Sequence, residues 1–147
     1  MRFNHQDSIM EVACLITNGN LEIVSDEFHL IIHQPQSRLD RMDEWCTKTH
    51  GNSGLTEKCL KSPITTLEAH QQLLEFIQRY IPDPRTGVLA GNSVHVDRLF
   101  LLKEFPLVVE HLHYRIVDVS TLKELSRRWF PEMLESAPKK ALCHRYG

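Results

Sequence analysis

Leu89-Ala90-Gly91-Asn92-Ser93-Val94-His95-Val96-Asp97-Arg98-Leu99-Phe100 and, further on, His113-Tyr114-Arg115-Ile116-Val117-Asp118-Val119-Ser120-Thr121 decide how the chain is organised. The first segment reads as a buried strand that runs into a turn of small residues and then into a helix, with Asp97 near its start. The second reads as a strand ending on a hydroxyl pair suited to cap the next helix. Two such junctions side by side bring Asn92, Ser93, Asp97, Arg115 and Ser120 toward one site. A carboxylate, a guanidinium and hydroxyls together suit a metal ion and a phosphate.

Upstream, residues 9–17, IMEVACLIT, form a mostly apolar strand, and Asn18-Gly19-Asn20 supplies a tight hairpin turn. Residues 21–24 and 28–33 are the returning strand, broken by a bulge near Ser25-Asp26 and stopped by Pro35. A short helix over 38–49 carries Leu39, Met42, Trp45 and Cys46 on one side and ends at Gly51. Ser53-Gly54-Leu55 opens a connector. Thr65-Thr66-Leu67-Glu68 is a capping box, followed by a helix with Leu67, Leu74, Ile77 and Ile81 at helical spacing and closed by Pro82 and Pro84. The strand over 88–90, the helix over 96–105 and the strand over 113–119 follow. Thr121-Leu122-Lys123-Glu124 is a second capping box, with Leu122, Leu125 and Trp129 as the buried stripe of the last helix before Pro131. A hairpin followed by βαβ units predicts an α/β fold, a mixed sheet flanked by helices, with ligands at the strand ends.

The chain has 147 residues, 41% of them hydrophobic and 24% charged, with a net charge of −2. That length fits one domain, 1–147. The balance excludes a global basic field, so contact with nucleic acid must rest on a local patch. Cys14, Cys46, Cys59 and Cys143 form no CxxC pair, which argues against a zinc cage. Scattered cysteines suit a reducing compartment. No apolar run approaches the roughly 20 residues that span a bilayer, and no membrane association is expected. The first seven residues lack the pattern of a presequence.

The stretches IMEVACLIT, MDEWCTKTHGNSGLT, LAGNSVHVDRLFL, LHYRIVDVSTLKELSRRWFPE and APKKALCHR resemble the oligoribonucleases, 3′-to-5′ exoribonucleases of the DEDDh group. The likeness covers nearly all of residues 7–145, and residues 1–6 do not match. It implies a ribonuclease H-like fold, a homodimer, and hydrolysis of very short RNA oligonucleotides to mononucleotides with two divalent cations, Mg²⁺ or Mn²⁺. Two metals polarise the scissile phosphate and stabilise the leaving oxygen. Hard cations take oxygen ligands, hence carboxylates.

Carried over by position, Asp97 matches the family's third acid, a metal ligand, and His144 matches its general base. The other three acids are absent. Residues 1–6, MRFNHQ, stand where the family has Asp-x-Glu, and the chain stops at Gly147 before the last acid. The resemblance therefore implies a truncated member, lacking the central first strand and the last helix, with exposed apolar surface and unpaired strand edges. An alternative isoform, a degenerate copy and an incomplete gene model all stay open.

The resemblance further implies that Trp45 stacks on or wedges beside a base and that His50 lines the site of the substrate's terminal phosphate. It assigns Ser93, Tyr114, Arg115 and Ser120 to the cap on that phosphate, Tyr114 reaching across from a dimer partner. On local grounds alone, Asp97 would be a helix-dipole charge, Arg115 a surface ion-pair member and Ser120 a helix cap. Trp129 reads as core, and Lys139 and Lys140 as a solvated loop. The alternative to an exoribonuclease is a non-catalytic partner that binds short RNA or forms a mixed dimer with a full-length relative. The family's cytoplasmic and mitochondrial members leave the compartment open.

Overall fold

The computed structural model describes residues 7–40 and 54–136. Most of the helix expected over 38–49, with Trp45 and His50, lies outside them, as do residues 1–6, Lys139, Lys140 and His144. The chain divides into two compact units, Met1–Pro82 and Asp83–Gly147.

In the first unit β1 (Glu11–Cys14) pairs antiparallel with β2 (Phe28–Ile31), in a register that sets Glu11 opposite Ile31 and Cys14 opposite Phe28. The hairpin turn falls where expected. Leu21 N–H donates to Asn18 O at 3.1 Å and Asn18 N–H to Glu22 O at 2.9 Å. The Asn18 side chain accepts from Asn20 N and Glu22 N. The left-handed residue of the turn is Leu21, with φ 65°, rather than a glycine. The interruption near Ser25 has a direct cause: its hydroxyl accepts from Ile16 N at 2.9 Å and replaces a ladder bond.

Three helices complete this unit: α1 (Gln36–Leu39), α2 (Leu55–Lys61) and α3 (Thr66–Tyr80). The segment expected as a connector after Gly54 is thus helical, entered through Gly54 at φ 68°. The capping box of α3 forms as read, with Thr65 accepting from Glu68 N and Glu68 accepting from Thr65 N. Its buried face differs from the expected one. Ala69, His70, Leu73, Phe76 and Ile77 face inward, while Leu67 is exposed and Ile81 is only the C-cap. Both sets fit a helical period, and the sheet selects one through Phe28, whose ring lies 5.0 Å from that of Phe76. Ile16, Ile32, Leu39, Leu55 and Cys59 complete the core. Burial pushes the Cys59 thiol up to about 11, with Glu11 adding to the effect, so it stays protonated and inert.

In the second unit β3 (Leu89–Gly91) pairs parallel with β4 (Ile116–Asp118) through α4 (Val94–Glu104) and α5 (Pro106–His111). β3 has the expected length but starts one residue later, β4 is shorter than the expected 113–119, and among the described residues the mixed sheet consists of two small sheets, one antiparallel and one parallel. Pro106 begins α5 at its first helical position, where its missing N–H costs nothing. Phe105, between the two helices, is fully buried, and Val94, Val108 and Leu112 are buried as well. The polar straps Arg85 N to His111 O, 2.6 Å, and His113 N to Gly87 O, 2.7 Å, fix the entries of both strands.

The chain ends its described part in α6 (Val119–Trp129) and α7 (Pro131–Ser136). Here two expectations are corrected. Thr121 is not a cap: Asp118 holds the N-cap position and accepts from Ser120 N, because its carboxylate outcompetes a hydroxyl placed inside the first turn. The stripe of Leu122, Leu125 and Trp129 is not buried, and none of the residues of α6 is. Trp129, read as core, is 64% exposed.

The strain at Leu21 has a measurable consequence. A left-handed L-residue costs about 1–2 kcal/mol, and an exposed leucine gains little burial in return. Leu21→Gly should raise unfolding stability by about 1 kcal/mol in urea denaturation, the added chain entropy of glycine offsetting part of the relief. A lower midpoint for the glycine variant would contradict the strain.

Candidate functional site

The two strand-to-helix junctions of the second unit lie side by side because β3 and β4 are parallel and in register, Gly91 opposite Asp118. After β3 the backbone must turn sharply into α4. Gly91 suits this turn, since a Cβ there would stand 3.2 Å from Val94 Cγ2. Ser93 takes the N-cap of α4 with φ 58° and ψ 33°, a conformation that L side chains rarely adopt. Its hydroxyl makes no capping bond. It is directed across to Ser120 instead, Oγ to Oγ 2.9 Å.

Asp118 fixes both junctions. Its Oδ1 accepts from Ser93 N at 2.9 Å and from Ser120 N at 2.9 Å. Its Oδ2 lies 3.1 Å from Nδ1 of the exposed His95. These partners, His95 foremost, hold its carboxyl below the usual range. Asn92 closes the cluster: its Oδ1 accepts from Ser120 Oγ at 3.1 Å and from Lys123 Nζ at 3.2 Å. Asp118, His95 and Lys123 were not singled out by sequence reasoning. The signal for Asp118 was its place directly after an apolar strand and before a helix, an N-cap position.

The expected site residues divide accordingly. The structure gathers Asn92, Ser93 and Ser120. Asp97 sits in the first turn of α4, with its carboxyl raised above the ordinary value by desolvation, against its own backbone N–H and His95, and with the smallest contribution from Asp118. Among the described residues no hydrogen bond joins Arg115 or Tyr114 to this cluster; the Arg115 guanidinium lies 5.4 Å from the centroid of the Tyr114 ring, which is itself stacked on His113 at 4.5 Å. Trp45, His50 and His144 lie outside the described residues.

Hydroxyls and an amide grouped beside a lysine can bind an anion through neutral and charged donors. They do not make a two-cation centre. Among the described residues no group of three or more His, Cys, Asp or Glu side chains could hold a metal ion. Both Asp118 oxygens are already engaged, by the amides of Ser93 and Ser120 and by His95.

Residues 2–145 match the model of the RNase T family, described as exonuclease. The chain is 51% identical over 140 residues to the mitochondrial oligoribonuclease of Mus musculus, an overlap of 95% of this chain and 59% of the relative. It is 48% identical over 145 residues to the mitochondrial oligoribonuclease of Saccharomyces cerevisiae, 94% of this chain and 54% of the relative. It is 48% identical over 140 residues to the probable oligoribonuclease of Dictyostelium discoideum, 95% and 72% respectively. The chain thus spans less than two thirds of the mouse and yeast relatives.

Because Asp118 is held below its ordinary value of 3.8, it stabilises the fold above that value, and this contribution is lost as pH falls through its folded-state value. Asp118→Asn should therefore melt at a lower temperature than the unaltered chain at pH 7, and the two should converge as pH falls through the folded-state value of the carboxyl, below 3.8. A difference that stays constant from pH 7 to pH 3 would show that the carboxylate charge is not what holds the junctions.

Proposed function

The chain belongs to the oligoribonuclease group of the RNase T exonuclease family, and from that membership we propose that it binds very short RNAs by a terminal phosphate. In the whole protein this grip would serve 3′-to-5′ removal of mononucleotides. Residues 1–147 are read as belonging to one exonuclease domain, a reading supported by the extent of the family match. The observation that carries the phosphate grip is the 2.9 Å contact between the hydroxyls of Ser93 and Ser120 across two junctions, kept at the expense of a strained backbone at Ser93.

Asp97 keeps the place of one ligand for Mg²⁺ or Mn²⁺ in this reading, and Trp45, His50, Tyr114, Arg115 and His144 keep their family roles as base, phosphate and proton-transfer residues. Cleavage by this chain alone is not expected, because the described residues add no second and third acid to Asp97. The names of the mouse and yeast relatives favour a mitochondrial setting, within an intracellular one. No helix among the described residues is long and apolar enough to cross a membrane.

A second reading, a non-catalytic partner in a homodimer or in a mixed dimer with a full-length relative, is favoured by one observation. Leu122, Trp129, Phe130 and Met133 are all exposed along α6 and α7. Light scattering alone and with a full-length relative measures it, and a strictly monomeric chain under both conditions removes it.

The phosphate grip is checked by titrating the chain with 5′-phosphorylated and unphosphorylated ApA. The phosphorylated form should bind more tightly, and Ser93→Ala or Ser120→Ala should each cost roughly tenfold of that affinity. Equal affinity for the two dinucleotides would sink the reading. Incubation with Mg²⁺ or Mn²⁺ should release little nucleoside monophosphate, whereas brisk release abolished by Asp97→Ala would restore a working cation centre.

A further inference from the structure

We propose that Asn18, in the hairpin turn of the first unit, modifies itself: the backbone nitrogen of Gly19 attacks its side-chain amide, assisted by Glu22, and converts it to aspartate and isoaspartate. This does not rest on the phosphate reading. Asn18-Gly19 is the one Asn-Gly pair in the sequence. Residues 17–24 are all exposed, so water and base reach the turn.

Three observations carry the proposal. First, glycine at 19 answers no backbone need. The left-handed residue of this turn is Leu21, and a Cβ on Gly19 would meet nothing within 4 Å. What glycine does there is leave its peptide nitrogen uncovered. Among the described residues no hydrogen bond occupies that N–H. Second, Asn18 Oδ1 accepts from two backbone donors, Asn20 N at 2.9 Å and Glu22 N at 3.1 Å. Attack at Cγ moves negative charge onto this oxygen, so donors already in place favour the tetrahedral species over the resting amide. Third, Asn18 Nδ2 stands 2.5 Å from Glu22 Oε2. A carboxyl group there can relay a proton to the nitrogen that must leave.

The atoms balance without an oxidant or reductant. Gly19 N loses its proton to base and bonds to Asn18 Cγ. Nδ2 takes a proton through Glu22, the Cγ–Nδ2 bond breaks, and ammonia departs from a five-membered succinimide. One water then opens the ring at either carbonyl, giving aspartate or isoaspartate. The product no longer suits the turn. Its carboxylate has no N–H to give Glu22, and two carboxylates face each other. In isoaspartate an extra backbone methylene also enters the loop closed by Asn18 N to Glu22 O and Leu21 N to Asn18 O. The change is one-way and loosens the hairpin that joins β1 to β2.

The test holds the whole chain at mildly alkaline pH and follows each asparagine by peptide mapping with mass spectrometry, with isoaspartate labelled by isoaspartyl methyltransferase. Asn18 should convert well before Asn52 and Asn92, each of which is followed by serine. Gly19→Ala should remove most of the Asn18 product. Glu22→Gln, which keeps an acceptor beside Nδ2 but no carboxyl to relay a proton, should slow conversion roughly tenfold. Both positions are exposed, and matching melting curves check that the variants fold like the parent. A second measurement needs no variant: in the parent chain unfolded by urea, Asn18 should convert more slowly than in the native turn. Conversion at Asn18 no faster than at Asn52 and Asn92 overturns the proposal. Rapid conversion that ignores both Glu22→Gln and unfolding would overturn the role of the turn, leaving a property of the Asn-Gly pair alone.

Discussion

A single carboxylate oxygen, Oδ1 of Asp118, accepts the backbone N–H of Ser93 and of Ser120, and the geometry of the second unit depends on it. These two amides belong to different strand-to-helix junctions. Each would otherwise be an orphan donor at the start of a helix. Satisfying both from one atom locks the separation of β3 and β4 at their carboxyl ends and holds Ser93 in a left-handed conformation that it would leave if released. The serine hydroxyls then face each other as a consequence of the backbone, before any ligand arrives. Preorganisation of this kind lowers the entropy that binding must overcome.

The same carboxylate makes the site electrostatically unusual. Backbone amides and His95 engage both oxygens of Asp118. The raised carboxyl of Asp97 and the lowered one of Asp118 follow from opposite causes, desolvation in one case and hydrogen bonding in the other, although the two residues occupy the same junction.

The exposed side of α6 and α7 is a second physical theme. Leu122 and Trp129 repeat at helical spacing, and Phe130 and Met133 extend the apolar surface. A helix with so regular a stripe is built to be covered. Its polar side is correspondingly well satisfied, with Glu124 bonded by both Arg127 and Arg128.

Local chemistry determined much of this protein from sequence alone. The Asn18-Gly19-Asn20 turn and the Thr65 and Glu68 capping box are decided by residues within a few positions of one another, and both are legible in the residue order. So is the family, because the LAGNSVHVDRLFL and LHYRIVDVSTLKELSRRWFPE stretches are long and colinear. What only the tertiary structure decided depends on residues far apart in the chain. Which face of α3 is buried was chosen by Phe28 across from Phe76, which no helical period could distinguish. Asp118, which caps α6, is also held by the amide of Ser93, 25 residues away in the chain. Arg115 shares a short segment with Ser120 in sequence, yet its guanidinium lies 5.4 Å from the Tyr114 ring centroid, and Lys123, one helical turn from Ser120, bonds to Asn92 of the other junction.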